Sequence, residues 1–316
     1  VLNVIDCYSV RVVVGGIPYI PGLTLQDKRK YLDNLDYIRT SIIQRGGHGK
    51  ITCIITPPTS QYADLGLIFI DSWGGYFDMC GSGIIGAGTV LLATGILPIE
   101  EPVTHFVFET IAGLIPIKAT IENKKVREVS FQNVLSYVTL SNQILQWKGR
   151  KIRFDIVHSG NRFCIVDAKD IEIDIVPENT DRLISTASEI LQLVNAGGAL
   201  QQSELKKEPI VDLVQISQTL DNKERRYRNI TLGSSGGVDL SPCGTGTCAK
   251  MALFYSKGEL SIGESIINEG LNGEQFKGRL AEKKEAGPYQ AVVPEVSGVT
   301  SIIGHDLIIE AVEDSV

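Results

Sequence analysis

Two segments of this sequence repeat each other. Residues 79 to 97 read M-C-G-S-G-I-I-G-A-G-T-V-L-L-A-T-G-I-L, and residues 242 to 260 read P-C-G-T-G-T-C-A-K-M-A-L-F-Y-S-K-G-E-L. Both fit C-G-[ST]-G, eleven residues, then G-x-L, so that Cys80 aligns with Cys243, Gly95 with Gly258 and Leu97 with Leu260. The copies lie 163 residues apart in a chain of 316, about half its length. An internal repeat on that scale predicts two related domains, each presenting one cysteine from an equivalent place.

Each copy carries the start and stop signals of a helix. A glycine-rich turn leads into about eleven residues of helical composition, and a glycine ends the run as a C-terminal cap does. Eleven residues at ~1.5 Å rise give roughly 16 Å, enough to thread a small domain. The cysteine then stands at the helix N-terminus, where unpaired N–H groups and the positive end of the dipole act together. A thiol so placed is shifted toward thiolate near neutral pH. The glycine-flanked amides also suit an anion such as a carboxylate. Two such termini facing one cleft could remove a proton from one side of a carbon and return it from the other, the geometry of a two-base racemase or epimerase. The substrate would be a carboxylate with an acidic α-hydrogen. No cofactor is obligatory in that scheme, because amides and dipoles stabilise the carbanion. A Cys80–Cys243 redox switch is the competing use of the same pair, and a non-catalytic amino-acid binder is a further alternative.

The rest of the sequence narrows the field. Apolar residues make up 43% and charged residues 21%, ordinary globular usage. The net charge is -7 and no dense Lys/Arg run occurs, so no nucleic-acid or anionic-membrane partner is expected. No stretch approaches the ~18 uninterrupted apolar residues of a membrane helix. The start has neither a basic n-region nor a long apolar h-region, so a cytoplasmic setting with reduced thiols is expected. Six cysteines are too few for a disulfide scaffold, and no C-x-x-C pair exists. The four histidines are scattered, so no metal site is expected. Cys7, Cys53 and Cys164 read as core residues, and Cys248 as packing inward from the second helix.

Short runs rich in Val, Ile, Phe and Thr alternate with turns: Arg11 to Val14, Lys50 to Thr56, Leu65 to Ile70, Thr104 to Phe108, Leu114 to Ala119, Ile152 to Val157 and Phe163 to Val166. Helices are predicted over Leu25 to Tyr37, with Thr24 as N-cap, and over Asn179 to Asn195, whose Leu183, Ala187, Ile190, Leu191 and Val194 share a face. Gln201 to Glu208 and Asp221 to Arg228 read as surface loops. The result is a mixed α/β (α+β) chain, richer in strand than helix, without the rhythm of a doubly wound sheet.

At the repeated motifs the chain resembles the proline racemase family, which includes 4-hydroxyproline 2-epimerases and trans-3-hydroxyproline dehydratases. The motifs are Met79 to Gly83 and Asp239-Leu240-Ser241-Pro242-Cys243-Gly244-Thr245-Gly246-Thr247. Further echoes include Val12 to Pro18, Arg45-Gly46-Gly47-His48, Ala112-Gly113-Leu114, Asn133 to Tyr137 and Glu264 to Ile267. The resemblance implies two similar strand-rich domains, each wrapped round a central helix as in diaminopimelate epimerase, with the active site in the cleft between them. The first domain is expected over residues 1–135 plus roughly 295–316, carrying Cys80, and the second over 136–294, carrying Cys243. It further implies a homodimer, no cofactor, no metal and proline or hydroxyproline as the small-molecule substrate. By matching position, Cys80 and Cys243 are the acid/base thiols. The amides of Gly81, Ser82, Gly244 and Thr245 hold the carboxylate, and Asp239 binds the ring nitrogen. A loop or capping carboxylate is the alternative for Asp239. Three departures stand out. Ile5 to Arg11 is shorter than the family's usual opening and lacks its histidine; Ser82 replaces a histidine common after the first C-G; and His158-Ser159-Gly160-Asn161 stands where a Gly-Gly pair is frequent. A dehydratase commonly has Thr at the position of Cys243, so the second cysteine points to racemisation; trans-3-hydroxy-L-proline dehydration, alone or as a second activity of the same enzyme, is the alternative.

Overall fold

A computed structural model describes residues 2–7, 10–35, 38, 40, 51–71, 74–196 and 211–309. These form two compact units, Val1–Phe131 with Val299–Val316, and Gln132–Gly298.

Unit 1 contains β1 (Leu2–Cys7), β2 (Val10–Gly15), α1 (Leu25–Leu32), β3 (Ile51–Thr56), β4 (Leu65–Ile70), β5 (Tyr76–Phe77), α2 (Gly81–Ala93), β6 (Val103–Thr110), β7 (Gly113–Glu122), β8 (Lys125–Gln132) and the final strand, β18 (Ile302–Ile308). Unit 2 contains β9 (Ser136–Trp147), β10 (Arg150–His158), β11 (Arg162–Asp167), α3 (Ala168–Ile171), α4 (Thr180–Asn195), β12 (Leu213–Asp221), β13 (Arg226–Gly233), β14 (Val238–Asp239), α5 (Gly244–Ser256), β15 (Ser265–Glu269), β16 (Gln275–Ala286) and β17 (Tyr289–Gly298).

The two units share one topology. In unit 1 the strands pair in the order β18-β1-β2-β3-β4-β6-β7-β8, and only β2–β3 and β4–β6 are parallel. In unit 2 the order is β9-β10-β11-β12-β13-β15-β16-β17, and only β11–β12 and β13–β15 are parallel. The parallel steps fall at the same places because each needs a crossover, and a helix supplies it. The crossovers of the second parallel step are α2 and α5, the repeated segments of the sequence. Unit 2 closes into a ring where Ala291 and Val292 of β17 pair with Tyr137 and Ser136 of β9. The rings of Tyr137 and Tyr289 stack at 4.9 Å beside that seam.

Helix α5 packs against β9, β10, β11, β16 and β17 around the ring. Gly244 to Leu253 are buried without interruption, as are Gly81 to Leu92 of α2. A helix apolar all round is the sequence form of such burial. Strands β2, β3 and β4 are covered on both faces, so Val13, Ile54, Ile68 and Ile70 form a second cluster with Leu32 and Ile308. In unit 2, α4 lays Leu183, Ala187, Ile190, Leu191 and Val194 onto a cluster that includes Phe154, Val166, Val214 and Ile230.

The repeated helices run thirteen residues, two longer than the spacing predicts, and end at Gly95 and Gly258, both at φ 74°. That left-handed conformation is one glycine adopts without steric cost. Thr24 caps α1, with Oγ1 accepting from the Asp27 amide at 3.1 Å. The helix expected to reach Tyr37 stops at Leu32, since Asn34 and Leu35 donate back only three residues, to Tyr31 and Leu32. That tightening closes the α-helical ladder. Asp221 to Arg228 is a hairpin rather than a loop: Asp221 Oδ1 accepts from the Lys223 and Glu224 amides, and β13 starts at Arg226. Cys53, Cys164 and Cys248 are fully buried, whereas Arg45 to His48, Gln201 to Glu208 and the side chain of Cys7 lie outside the described residues. No described helix is long and apolar enough to cross a membrane.

The β13–β15 pairing buries a carboxylate. Glu269 accepts from Arg226 at 2.6 Å, from Arg228 at 3.1 Å and from Gln275 at 3.0 Å. Burial alone would raise its pKa, but the two arginines outweigh it and hold the group below the ordinary glutamate value. A depressed carboxylate pKa adds stability above the unfolded value of ~4.3, lost as pH falls through the lower folded value. Glu269→Gln is therefore expected to lower unfolding stability at pH 7 by about 1.5–3 kcal/mol. In denaturant titrations at a series of pH values, its deficit against the parent should shrink below pH ~4.

Candidate active site

Helix α2 begins directly at Cys80. Its backbone is extended (φ -140°, ψ 111°), its carbonyl accepts the Ile84 amide at 2.9 Å, and its Sγ accepts the Gly83 amide at 3.4 Å. The thiol thus serves as the helix N-cap, a place more often taken by Ser, Thr, Asp or Asn. Cys80 is half-buried, while Gly81, Ser82 and Gly83 are buried in the first turn. The N–H of Ala112 donates to the carbonyl of Asp78 at 3.1 Å and ties the approach to the cap onto the β6–β7 turn.

Helix α5 begins at Cys243, whose carbonyl accepts the Thr247 amide at 2.7 Å. Here the backbone differs: Cys243 has φ 56° and ψ 101°. A residue other than glycine rarely takes that conformation, which costs about 1–3 kcal/mol and persists only where the surroundings over-determine it. The Cys243 amide donates to Ser241 Oγ at 3.2 Å, and the Ser241 amide to Asp239 Oδ1 at 2.9 Å. The Cys243 side chain itself hydrogen-bonds the Asp239 carboxylate. Burial raises the pKa of Asp239, while bonds from Ser241 and Cys243 oppose the rise. Asp239 therefore sits against the second thiol, and Thr245 Oγ1 lies 4.0 Å from the same sulfur.

The repeat predicts two equivalent thiols, and their hydrogen bonds are unlike. Cys80 sulfur accepts from an N–H, an arrangement that favours the thiolate. Cys243 lies against a carboxylate, to which only the protonated thiol can donate; this favours the thiol.

The second glycine of each C-G-[ST]-G is fixed by space. A Cβ on Gly83 would lie 2.6 Å from the Phe69 ring, and one on Gly246 would lie 2.1 Å from Gln215 Nε2 and 2.9 Å from Cys243 Sγ. Phe69 on β4 and Gln215 on β12 thus press each helix start from a neighbouring strand. Sequence reasoning missed Gln215, and it missed the buried Asn229, Lys250 and Asn268 around Cys243. The signal for Lys250 was available: it is a charge between Ala249 and Met251 in a helix with no polar face. Within unit 1, the structure brings Gly81 and Ser82 to Cys80; within unit 2, it brings Asp239, Gly244 and Thr245 to Cys243. Among the described residues no group of three or more His, Cys, Asp or Glu side chains could hold a metal ion.

The proline racemase of Acetoanaerobium sticklandii is 41% identical over 322 residues, covering 99% of this chain and 96% of that protein. A trans-3-hydroxy-L-proline dehydratase of Bacillus cereus is 31% identical over 310 residues, covering 96% and 92%. The crystal structure of a hydroxyproline epimerase from Agrobacterium vitis with bound trans-4-hydroxy-L-proline superposes with a TM-score of 0.88 at 25% identity, covering 96% of this chain and 90% of that one. The family model described as proline racemase matches residues 4–314, both cysteine motifs included, and the chain belongs to that family.

Proposed function

We propose that the protein is a cofactor-independent racemase or 2-epimerase acting at the α-carbon of proline or hydroxyproline, with Cys80 and Cys243 as its two acid/base groups. The observation that carries this reading is the pair of thiols, each opening a buried helix at an equivalent place in two units of one topology. The substrate carboxylate is held by amides of the first turns, those of Gly81 and Ser82 from α2 and of Gly244 and Thr245 from α5, where helix N-termini favour negative charge. Asp239 receives the ring nitrogen, a cation when protonated, and its contact with Cys243 sets that nitrogen beside the second sulfur.

Reaction from one enantiomer starts with Cys80 as thiolate and Cys243 as thiol, the states their hydrogen bonds favour. Cys80 takes the α-proton, the carbanion flattens, and Cys243 delivers its own proton to the opposite face. The enzyme is left with the protons exchanged between the sulfurs, ready for the other enantiomer. The first-turn amides carry the charge that grows on the carboxylate as the carbanion forms. A homodimer in a reducing, cytoplasmic setting completes the proposal.

Dehydration of trans-3-hydroxy-L-proline is the second reading, favoured by the Bacillus cereus relative. Incubation in heavy water with L-proline, trans-4-hydroxy-L-proline and trans-3-hydroxy-L-proline separates the two. Inversion with α-deuteration supports the racemase or epimerase, and pyrroline formation supports the lyase. Cys80→Ser and Cys243→Ser are each expected to lower the inversion rate by at least ~10²–10⁴, the contribution of one general acid or base. Near-full inversion by Cys243→Ser would remove that residue from the chemistry. The rate should rise and then fall with pH, because two thiols in one site titrate in two macroscopic steps and only the singly protonated pair is active. A planar pyrrole carboxylate, shaped like the carbanion, should protect both thiols from a small alkylating agent. A rate that climbs to a plateau, with no such protection, would contradict the shared-proton scheme.

A further inference from the structure

Lys250 lies two turns inward from Cys243 on α5 and is 1% exposed. Its ammonium donates to Asn268 Oδ1 at 2.6 Å and stands 5.3 Å from the centre of the Tyr227 ring. Asn268 is itself fully buried, and its amide nitrogen turns toward the start of the helix. It donates to the Pro242 carbonyl and to Thr247 Oγ1, both at 2.8 Å, and to Asn229 Oδ1. Thr247 adds a bond from its hydroxyl to the same Pro242 carbonyl at 3.2 Å. Asn229 donates to the Ser241 carbonyl at 3.5 Å. The two peptide carbonyls before Cys243 are thus each held by a buried asparagine, and one asparagine separates them from a buried cation.

This arrangement belongs to one half of the molecule. The position equivalent to Lys250 in the first repeat is Ala87, fully buried and apolar, and Cys80 has an unstrained extended backbone. The charge and the asparagines accompany the left-handed cysteine. Burying an ammonium is costly, and burial lowers the Lys250 pKa to about 7, while the negative charges of Cys243 and Asp167 draw it upward. Other titratable groups around it are the Tyr227 phenol, pushed up by burial, and those lining a pocket of about 390 Å³ at its side. Of these, Asp155 pairs with Lys257, Asp170 pairs with Arg153, and Glu259 lines the rim.

We propose that Lys250 and Asn268 are positioning residues for Cys243: Asn268 clamps the Pro242 carbonyl and so fixes the left-handed cysteine, and the buried ammonium stabilises the thiolate that forms when Cys243 has given up its proton. The proposal rests on the reading of Cys243 as an acid/base group. It accounts for how a thiol held against a carboxylate can still ionise: Asp239 opposes the anion, and Lys250 favours it over the pH range in which its own pKa of about 7 keeps it protonated.

The test follows alkylation of the full-length protein by iodoacetamide from pH 5.5 to 10, with Cys80 and Cys243 read as separate peptides by mass spectrometry. Lys250→Met, which keeps the length and removes the charge, is expected to raise the Cys243 midpoint by ~1 unit or more while the Cys80 midpoint stays in place. An unmoved Cys243 midpoint, or a joint movement of both thiols, overturns the proposal. Thr247→Val keeps the cation and cuts one tie to Pro242. It should leave the Cys243 midpoint in place and lower kcat by ~10-fold with KM within twofold, the signature of a misplaced acid/base group. An unchanged kcat would count against the clamp. Alkylation needs no turnover, so a failure here is distinct from a failure of the racemase reading, which would appear as activity in Cys243→Ser.

Discussion

The rest of the molecule depends on the enclosure of a helix by strands. Helices α2 and α5 are enclosed along most of their length, so nearly all their side chains are apolar or small, with buried Lys250 of α5 the charged exception. At the C-terminal ends, glycines in left-handed geometry turn the chain out. At the N-terminal ends, the first-turn amides need acceptors; Cys80 Sγ takes one of them, while Cys243 opens α5 without a side-chain cap bond. The point where an enclosed helix leaves its amides without backbone partners is the point where an anion is best received. The C-G-[ST]-G signature is the trace of that requirement, since its last glycine leaves room for Phe69 or Gln215 to press on the turn.

The two halves differ in how they hold their sulfurs. Unit 1 keeps an extended cysteine whose sulfur caps its own helix. Unit 2 has a strained cysteine braced by Ser241, Asn268 and Asn229 through the backbone on its N-terminal side, with a carboxylate against the thiol and an ammonium deeper in the barrel. Equivalent topology therefore carries unequal electrostatics.

Much of this was legible in the sequence. The repeat spacing gave the two cysteines, their helix starts and the glycine stops, because these depend on local backbone chemistry. The amphipathic face of α4 was visible in its 3.6-residue period, and the buried cysteines matched their apolar neighbours. What escaped depends on contacts distant along the chain. Asn268 reaches Pro242 across 26 residues and Asn229 across 39, and a single asparagine in a strand carries no mark of such a role. The inequality of the thiols was hidden because the matched C-G-[ST]-G motif carries no mark of the positive φ at Cys243. The early stop of α1 was missed because its apolar pattern continues past a turn that only its hydrogen bonds reveal.

The pairing of β1 with β18 has a consequence for how the chain is made. Leu2 stands opposite Ile308, so unit 1 is assembled from the first and last segments of the described chain, with all of unit 2 between them. During synthesis from the N-terminus, unit 2 has its full set of strands once β17 is made, while unit 1 still lacks a strand. Until β18 arrives, one edge of β1 exposes unpaired amides and carbonyls, a template for pairing with another chain. The half begun first is thus the last to complete its sheet.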